Sequence, residues 1–183
     1  MGIKTFFSKI LGKREEPVIE APVEIAPQKS EKQIYSERLK ENVDIINDFF
    51  GNPQRYPGAR LDTLEAKVTQ DLYRKMLKAF KLLNSSANSG FRNVDDYYEL
   101  KRIIQDIVAS RDENVRYITP ELKLKIDLLA KSMRYTAFEL NKILLDKKNL
   151  VKMLEDKNYE RNFFEYIIQF KQATDLIRKR IFG

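Results

Sequence analysis

A heptad pattern between Thr119 and Leu154 constrains the fold of this chain more than any other sequence feature. Two columns of positions spaced seven residues apart share one helical face, and eight of their ten members are apolar. The columns are Leu122, Leu129, Thr136, Ile143, Leu150 and Ile126, Met133, Leu140, Lys147, Leu154. Thr119 and Pro120 suit the N-cap and the first position of a helix. The pattern predicts a helix of about 54 Å that packs against other helices.

The heptad phase fails after Leu154, and a second apolar pattern restarts out of register. Its members are Tyr159, Phe163, Tyr166, Phe170, Ala173 and Ile177. A turn near residues 156–158 explains this shift and predicts an antiparallel helical hairpin. A continuous helix with a local stutter is the alternative. Thr136 and Lys147, the polar members of the heptad columns, either set helix register or partner choice, or face solvent where packing is loose.

Three earlier helices are predicted from caps and apolar stripes. The capping residues are Ser30 with Gln33, Asp62 with Glu65, and Asn93. The expected ends are Gly51 as a C′ glycine, Leu83 and Ser110. Residues 84–90 are expected to form a polar loop and residues 111–118 a linker. The expected buried stripes are Tyr35, Leu39, Val43, Ile46, Phe49, Phe50; Leu64, Val68, Leu72, Met76, Phe80, Leu83; and Tyr97, Leu100, Ile103, Ile104, Ile107, Val108. The predicted fold is an all-α bundle of about five helices over residues 30–183.

Residues 1–14 form a basic amphipathic segment. Its apolar side chains recur at helical spacing and share one face; they are Ile3, Phe6, Phe7, Ile10 and Leu11. This face predicts docking on a protein partner or on a membrane surface. The alternative is a terminal helix that folds back onto its own core.

Residues 15–29 are predicted to be an extended or disordered linker. Pro17, Pro22 and Pro27 recur every five residues, and each removes a backbone donor and disfavours helix in the residue before it. With residue 30 included, the linker could span about 50 Å at about 3.1 Å per residue. A basic anchor on such a tether is typical of a chain that attaches its body to something else.

The absence of two residue types excludes several kinds of chemistry. The chain has no Cys and no His, so disulfides, thiolate metal sites and Ser-His or Cys-His nucleophiles are excluded. No phosphate-binding glycine loop or hydrolase motif is present. We therefore expect no catalytic residue, no metal ligand and no cofactor. An enzyme of unrecognised type would need a concave pocket with perturbed carboxylates or lysines.

The formal net charge of +7 is concentrated towards the two ends of the chain. Anionic partners are therefore favoured, without a choice among phosphate backbones, anionic lipids and acidic proteins. The candidate contacts with an anionic surface are Lys4, Lys9, Lys13, Arg14, Arg74, Lys75, Lys78, Lys81, Arg178, Lys179 and Arg180. The simpler interpretation of the last seven is a solvated helix face and an ordinary cationic helix end.

These features predict a non-catalytic helical adaptor or structural protein that assembles with protein partners through helix packing, self-association included. Docking would use the N-terminal segment, and the setting would be a virion or another multi-subunit assembly. We expect the protein to lie in the cytoplasm or within a viral particle. We do not expect it to be secreted or to have a transmembrane segment. One alternative is a nucleic-acid-binding module that uses the basic ends. Another is a protein of the membrane surface.

Overall fold

The computed structural model describes residues 31–59, 63–145 and 157–183, which form five α-helices and two short 3-10 turns. The helices are α1 (Glu31–Gly51), α2 (Thr63–Ser89), α3 (Val94–Glu113), α4 (Pro120–Leu145) and α5 (Lys157–Phe182). The turns are Pro53–Arg55 and Val115–Tyr117. No strand occurs within these ranges. The prediction of an all-α bundle of about five helices is therefore confirmed.

Several sequence predictions concern residues outside the described ranges. They are the anchor and linker at 1–29, the capping residues Ser30 and Asp62, the heptad positions Lys147, Leu150 and Leu154, and residue 156 of the predicted turn. The other two residues of that turn, Lys157 and Asn158, are already helical and begin α5. The Gln33 side chain is also outside the description.

Two predicted helix starts are confirmed by their capping hydrogen bonds. The Asn93 side-chain oxygen accepts a hydrogen bond from the backbone N–H of Asp96 at 3.0 Å. The Thr119 hydroxyl accepts one from the backbone N–H of Leu122 at 3.3 Å. Each bond satisfies an N–H that has no partner inside its own helix, which fixes where α3 and α4 begin.

Successive helices run up and down the bundle. Along α4 and α5, Thr136 contacts Phe163, and Leu128 lies near Gln169, so these helices are antiparallel. This confirms the predicted C-terminal hairpin. In contrast, α1 runs parallel to α5, because Tyr35 bonds to Ile168 and Phe49 packs on Phe182.

The core lies where α2 and α5 meet α3, α4 and α1. Phe80 of α2 stacks on Phe170 of α5 with ring centroids 4.3 Å apart, and Tyr166 is fully buried beside them. Most of the stripes expected from the sequence are buried or partly buried. Leu64 is an exception, because this first-turn residue of α2 remains 50% exposed.

The predicted loop at residues 84–90 is wrong, since α2 continues to Ser89. The Ser85 and Ser86 hydroxyls each donate to the Leu82 carbonyl at 2.9 Å, so local hydrogen bonds use their polar groups without breaking the helix. Gly90 ends the helix with a positive φ of 77°. This left-handed conformation is one that glycine adopts without steric cost.

Gly51 is not the predicted C′ glycine. It is the last residue of α1, and no positive φ occurs there. Asn52 extends the hydrogen-bonding pattern, because its backbone N–H donates to the Asp48 carbonyl at 2.8 Å. Its side-chain amide donates to the Asp48 carboxylate at 2.9 Å. The helix end is thus held by an asparagine and an aspartate.

The predicted linker 111–118 is replaced by the end of α3 and a 3-10 turn. Arg111 is buried, with 9% of its surface exposed. Its guanidinium pairs with Asp112 at 2.8 Å and also with Asp127 of α4. A positive charge in the last turn also complements the negative helix end. Arg111 therefore holds α3 to α4 where the sequence suggested an open connection.

Candidate functional site

The predicted docking residues of the N-terminal segment lie outside the described ranges. They are Ile3, Phe6, Phe7, Ile10 and Leu11, together with the cations Lys4, Lys9, Lys13 and Arg14. The first described helix, α1, begins at Glu31. The Tyr35 hydroxyl, in the second turn of α1, donates to the Ile168 carbonyl of α5 at 3.1 Å. The first turns of α1 therefore lie beside the middle of α5.

The four candidate cations on α2 differ in their surroundings. Lys75 pairs with Asp71 at 2.6 Å, and Lys78 pairs with Glu99 of α3 at 2.8 Å. Arg74 and Lys81 are exposed. Half of the predicted basic stripe therefore has its charge balanced within the bundle.

The three cations at the end of α5 also differ. Arg178 donates to Glu41 at 2.9 Å and to the Asn42 side-chain oxygen at 3.0 Å. Arg180 donates to Glu65 of α2 at 2.7 Å, and its side chain is only 17% exposed. Of these three cations, only Lys179 is exposed. Two of the three cations thus join α5 to α1 and α2.

A second apolar stripe runs along the outer face of α4. We call it the α4 stripe; it consists of Leu124, Leu128, Tyr135 and Phe138. Three of its members are exposed, with 55% for Leu124, 37% for Tyr135 and 50% for Phe138. The spacing i, i+4, i+11 and i+14 places the four side chains on one face of the helix, with the exposed Lys131 between them. Such a row is the kind of surface that another helix packs against.

A groove lies beside the α4 stripe, between α4 and α5. This α4–α5 groove has a volume of about 290 Å³ and is lined by Leu128, Lys131, Ser132, Tyr135, Asn162, Glu165 and Gln169. Its α4 side combines Leu128 and Tyr135 with Lys131 and Ser132, and its α5 side offers amide and carboxylate groups. The groove can therefore receive apolar side chains on one wall and hydrogen-bond donors on the other.

Gln169 gives the α5 wall an unused acceptor. Its side-chain N–H donates to the Glu165 carboxylate at 2.7 Å. Its carbonyl oxygen is buried and has no hydrogen-bond partner within the described ranges. Flipping the amide would place this oxygen against the Glu165 carboxylate, which two acceptors cannot tolerate. A donor from outside the described residues would satisfy it.

The titratable groups with shifted pKa values lie mainly in structural pairs. Hydrogen bonds from Tyr56 and Asn52 lower the pKa of Asp48, and the hydrogen bond from Lys78 lowers the pKa of Glu99. Tyr56 also lines a second cleft, of about 400 Å³, beside Phe49 and Phe50. Within residues 31–59, 63–145 and 157–183, no three carboxylates gather as a metal site would require.

Neither a search for membrane-spanning helices nor comparison with known proteins adds information about the site. Among the helices described here, none combines the length and apolar character needed to cross a bilayer. Comparisons with family models, curated proteins and solved structures find no match to this chain. The interpretation of the site therefore depends on its own chemistry.

The sequence contained a signal for the α4 stripe that the heptad analysis missed. Leu124, Tyr135 and Phe138 lie outside the two heptad columns, on the opposite side of the helix, and interrupt what would otherwise be a polar outer face. A helix with one buried stripe needs no second one. Counting apolar positions outside the heptad columns would have identified this surface.

Proposed function

We propose that the chain is a non-catalytic helical adaptor or structural protein that assembles with protein partners through helix packing. The exposed α4 stripe is the observation that carries this proposal. Partner contact would use this stripe together with the N-terminal segment 2–14. The intracellular or virion setting expected from the sequence belongs to the same proposal.

The chemistry of the α4 stripe supports a protein partner. Phe138 is half exposed, and Lys142 lies over its ring at 4.4 Å. Large exposed aromatic side chains are typical of the anchors at protein interfaces. Burying the exposed half of such a side chain stabilises a complex by about 1–1.5 kcal/mol. The stripe thus offers several anchors in a row.

The nucleic-acid alternative has less support. Lys75, Lys78, Arg178 and Arg180 already pair with carboxylates of the bundle. Phosphate binding would have to compete with these partners or depend on the remaining cations. The salt dependence of binding distinguishes the two proposals, because phosphate contacts weaken steeply as the salt concentration rises.

The test is a paired capture from native extract or purified particles. The baits are the intact chain, a chain lacking residues 2–14, and Phe138→Gln in the intact chain. Tyr98→Gln is the matched control, since Tyr98 is an equally exposed aromatic residue (58%) on α3. Each capture is repeated at low and high salt, and bound protein and nucleic acid are both measured.

We expect a defined protein partner that persists at high salt, because apolar contacts are not screened by ions. It should be lost on truncation and reduced by Phe138→Gln, but kept by Tyr98→Gln. Recovery of nucleic acid by every bait, with release at high salt, would contradict the adaptor proposal. If neither protein nor nucleic acid is captured, and the purified chain sediments with anionic vesicles in a separate assay, the membrane-surface alternative is supported instead.

A further inference from the structure

The α4–α5 groove lies within reach of the N-terminal segment of the same chain. Tyr35 bonds to the Ile168 carbonyl, and Gln169, the next residue, lines the groove. Burial and the carboxylates of Asp175 and Glu165 raise the pKa of Tyr35. Glu165 also lines the groove, so the start of α1 is close enough to the α5 wall to interact with its charge. A tether that spans up to about 50 Å therefore allows residues 2–14 to reach the groove.

The dimensions of the segment and of the α4 stripe agree. A helix over residues 2–14 would be about 20 Å long at about 1.5 Å per residue. The stripe from Leu124 to Phe138 covers about 21 Å of α4 by the same measure. Both surfaces are apolar rows at helical spacing, so ridges of one can pack into grooves of the other.

The polar wall of the groove has the complementary chemistry. Glu165 is a carboxylate acceptor, and the buried carbonyl oxygen of Gln169 has no partner within the described residues. The segment carries four cations and no anion, and Lys4 lies at the edge of its apolar face. A lysine ammonium provides three donors and no acceptor. Lys131 on the α4 wall would repel these cations, so they should lie towards α5.

We propose that residues 2–14 dock in the α4–α5 groove of their own chain, with their apolar face on the α4 stripe. A tethered segment is present at an effective concentration in the millimolar range, so weak contacts are enough to populate the docked form. A second copy is a poorer occupant, because two α4 stripes face to face would bring their central Lys131 side chains together. A partner that contacts both the stripe and the segment would bind the undocked form, so docking would compete with partner binding.

This inference goes beyond the proposed function, and its test contains no partner. The chain has no Cys, so Ser8→Cys provides a single attachment site for a nitroxide spin label. In the predicted helix Ser8 lies opposite the apolar face, where a label does not obstruct docking. Paramagnetic broadening of amide signals is then measured in the purified, isotopically labelled full chain.

Amides of Leu128, Lys131 and Asn162 should broaden strongly, while Tyr98 on α3 should not. Phe6→Gln with Phe7→Gln leaves the helical body untouched and should lower the ratio of docked to free segment at least about tenfold. Phe138→Gln should lower it about tenfold, and Tyr98→Gln should leave it unchanged.

Three results would overturn the inference. The first is a groove whose amides show no broadening. The second is broadening that persists unchanged in both phenylalanine variants. The third is equal broadening when spin-labelled chain is mixed with unlabelled, isotope-enriched chain, because the occupant would then come from a second copy. Capture of a partner could still succeed in each case, so the proposed function is judged separately.

Discussion

Thr136 is a polar residue in an apolar heptad column, and its hydroxyl has a structural partner. It is fully buried and donates to the Phe163 carbonyl of α5 at 2.5 Å. Of the two interpretations that the sequence left open, solvent exposure is excluded. The bond joins the two antiparallel helices at one defined point, so it favours one register over its neighbours.

Thr136→Val should lower the free energy of unfolding by about 1 kcal/mol. Valine has nearly the same shape but has no donor, so the change removes the interhelical hydrogen bond and keeps the packing. Thr136→Ala should cost more, because it also removes a buried methyl group. Urea unfolding followed by circular dichroism measures both. A valine variant as stable as the parent chain would show that the hydrogen bond contributes nothing.

The cations illustrate how far residue-level reasoning from sequence extends. Charge counting correctly finds that the ends of the chain are basic, but it cannot distinguish a solvated cation from a paired one. Arg111 and Arg180 have partners on α4 and α2, more than ten residues away in sequence. Such pairs depend on how helices are placed in space, which a helical pattern does not specify. Only the structure distinguishes the exposed Lys179 from Arg180, which pairs with Glu65.

At the scale of elements, the sequence predicted helices well where caps and periodicity agree. Asn93 and Thr119 mark helix starts that the structure reproduces. It failed at residues 84–90, where serine, asparagine and glycine are typical of loops. Ser86 is buried there, with 4% of its surface exposed, and Phe91 beyond it is equally buried. Tertiary packing therefore overrides weak local propensity.

Gly90 and Gly51 form a matched pair for testing how these helices end. A Cβ added at either glycine would meet no atom within 4 Å, so packing does not distinguish them. Gly90→Ala should destabilise the fold by about 1–2 kcal/mol, because its φ is positive and alanine is strained there. Gly51→Ala should stabilise it by up to about 1 kcal/mol, since Gly51 is helical.

The measurement is the urea concentration at the unfolding midpoint of each glycine variant, compared where the denaturant slope m is unchanged. Opposite signs would establish that the two helices end by different means. If Gly51→Ala is instead as destabilising as Gly90→Ala, then Gly51 acts as the C′ glycine that the sequence first suggested.

At the scale of the whole molecule, the aromatic side chains link the helices around α5. Tyr73 donates to the Val43 carbonyl of α1 at 3.3 Å, and Tyr166 contacts Asn84 of α2 at 3.5 Å. Burial is the main cause that raises the pKa values of Tyr35, Tyr73, Tyr159 and Tyr166. Each of these tyrosines is partly or fully enclosed by the bundle. The stability of the bundle should therefore depend on their protonation.

The sign of this dependence is fixed by the direction of the shifts. Below a pH of about 10, the ordinary pKa of tyrosine, both folded and unfolded chains keep these hydroxyls protonated. Above it the unfolded chain ionises first, whereas the raised pKa values keep the folded chain neutral. Stability is therefore full below about pH 10 and is lost as the pH rises towards the folded pKa values, by up to about 1.4 kcal/mol per pH unit for each tyrosine.

Tyr166→Phe isolates one such contribution, because lysines also titrate in this range. The variant loses its ionisable group at the most buried of the four sites, so its unfolding free energy should fall less steeply with alkaline pH than that of the parent chain. Tyr98→Phe, at an exposed site on α3, should follow the parent slope. Urea unfolding at several pH values between about 9 and 11 measures the slopes. Parallel slopes for the parent chain and Tyr166→Phe would mean that Tyr166 ionises as readily in the folded bundle as in the unfolded chain, so burial would not explain alkaline unfolding.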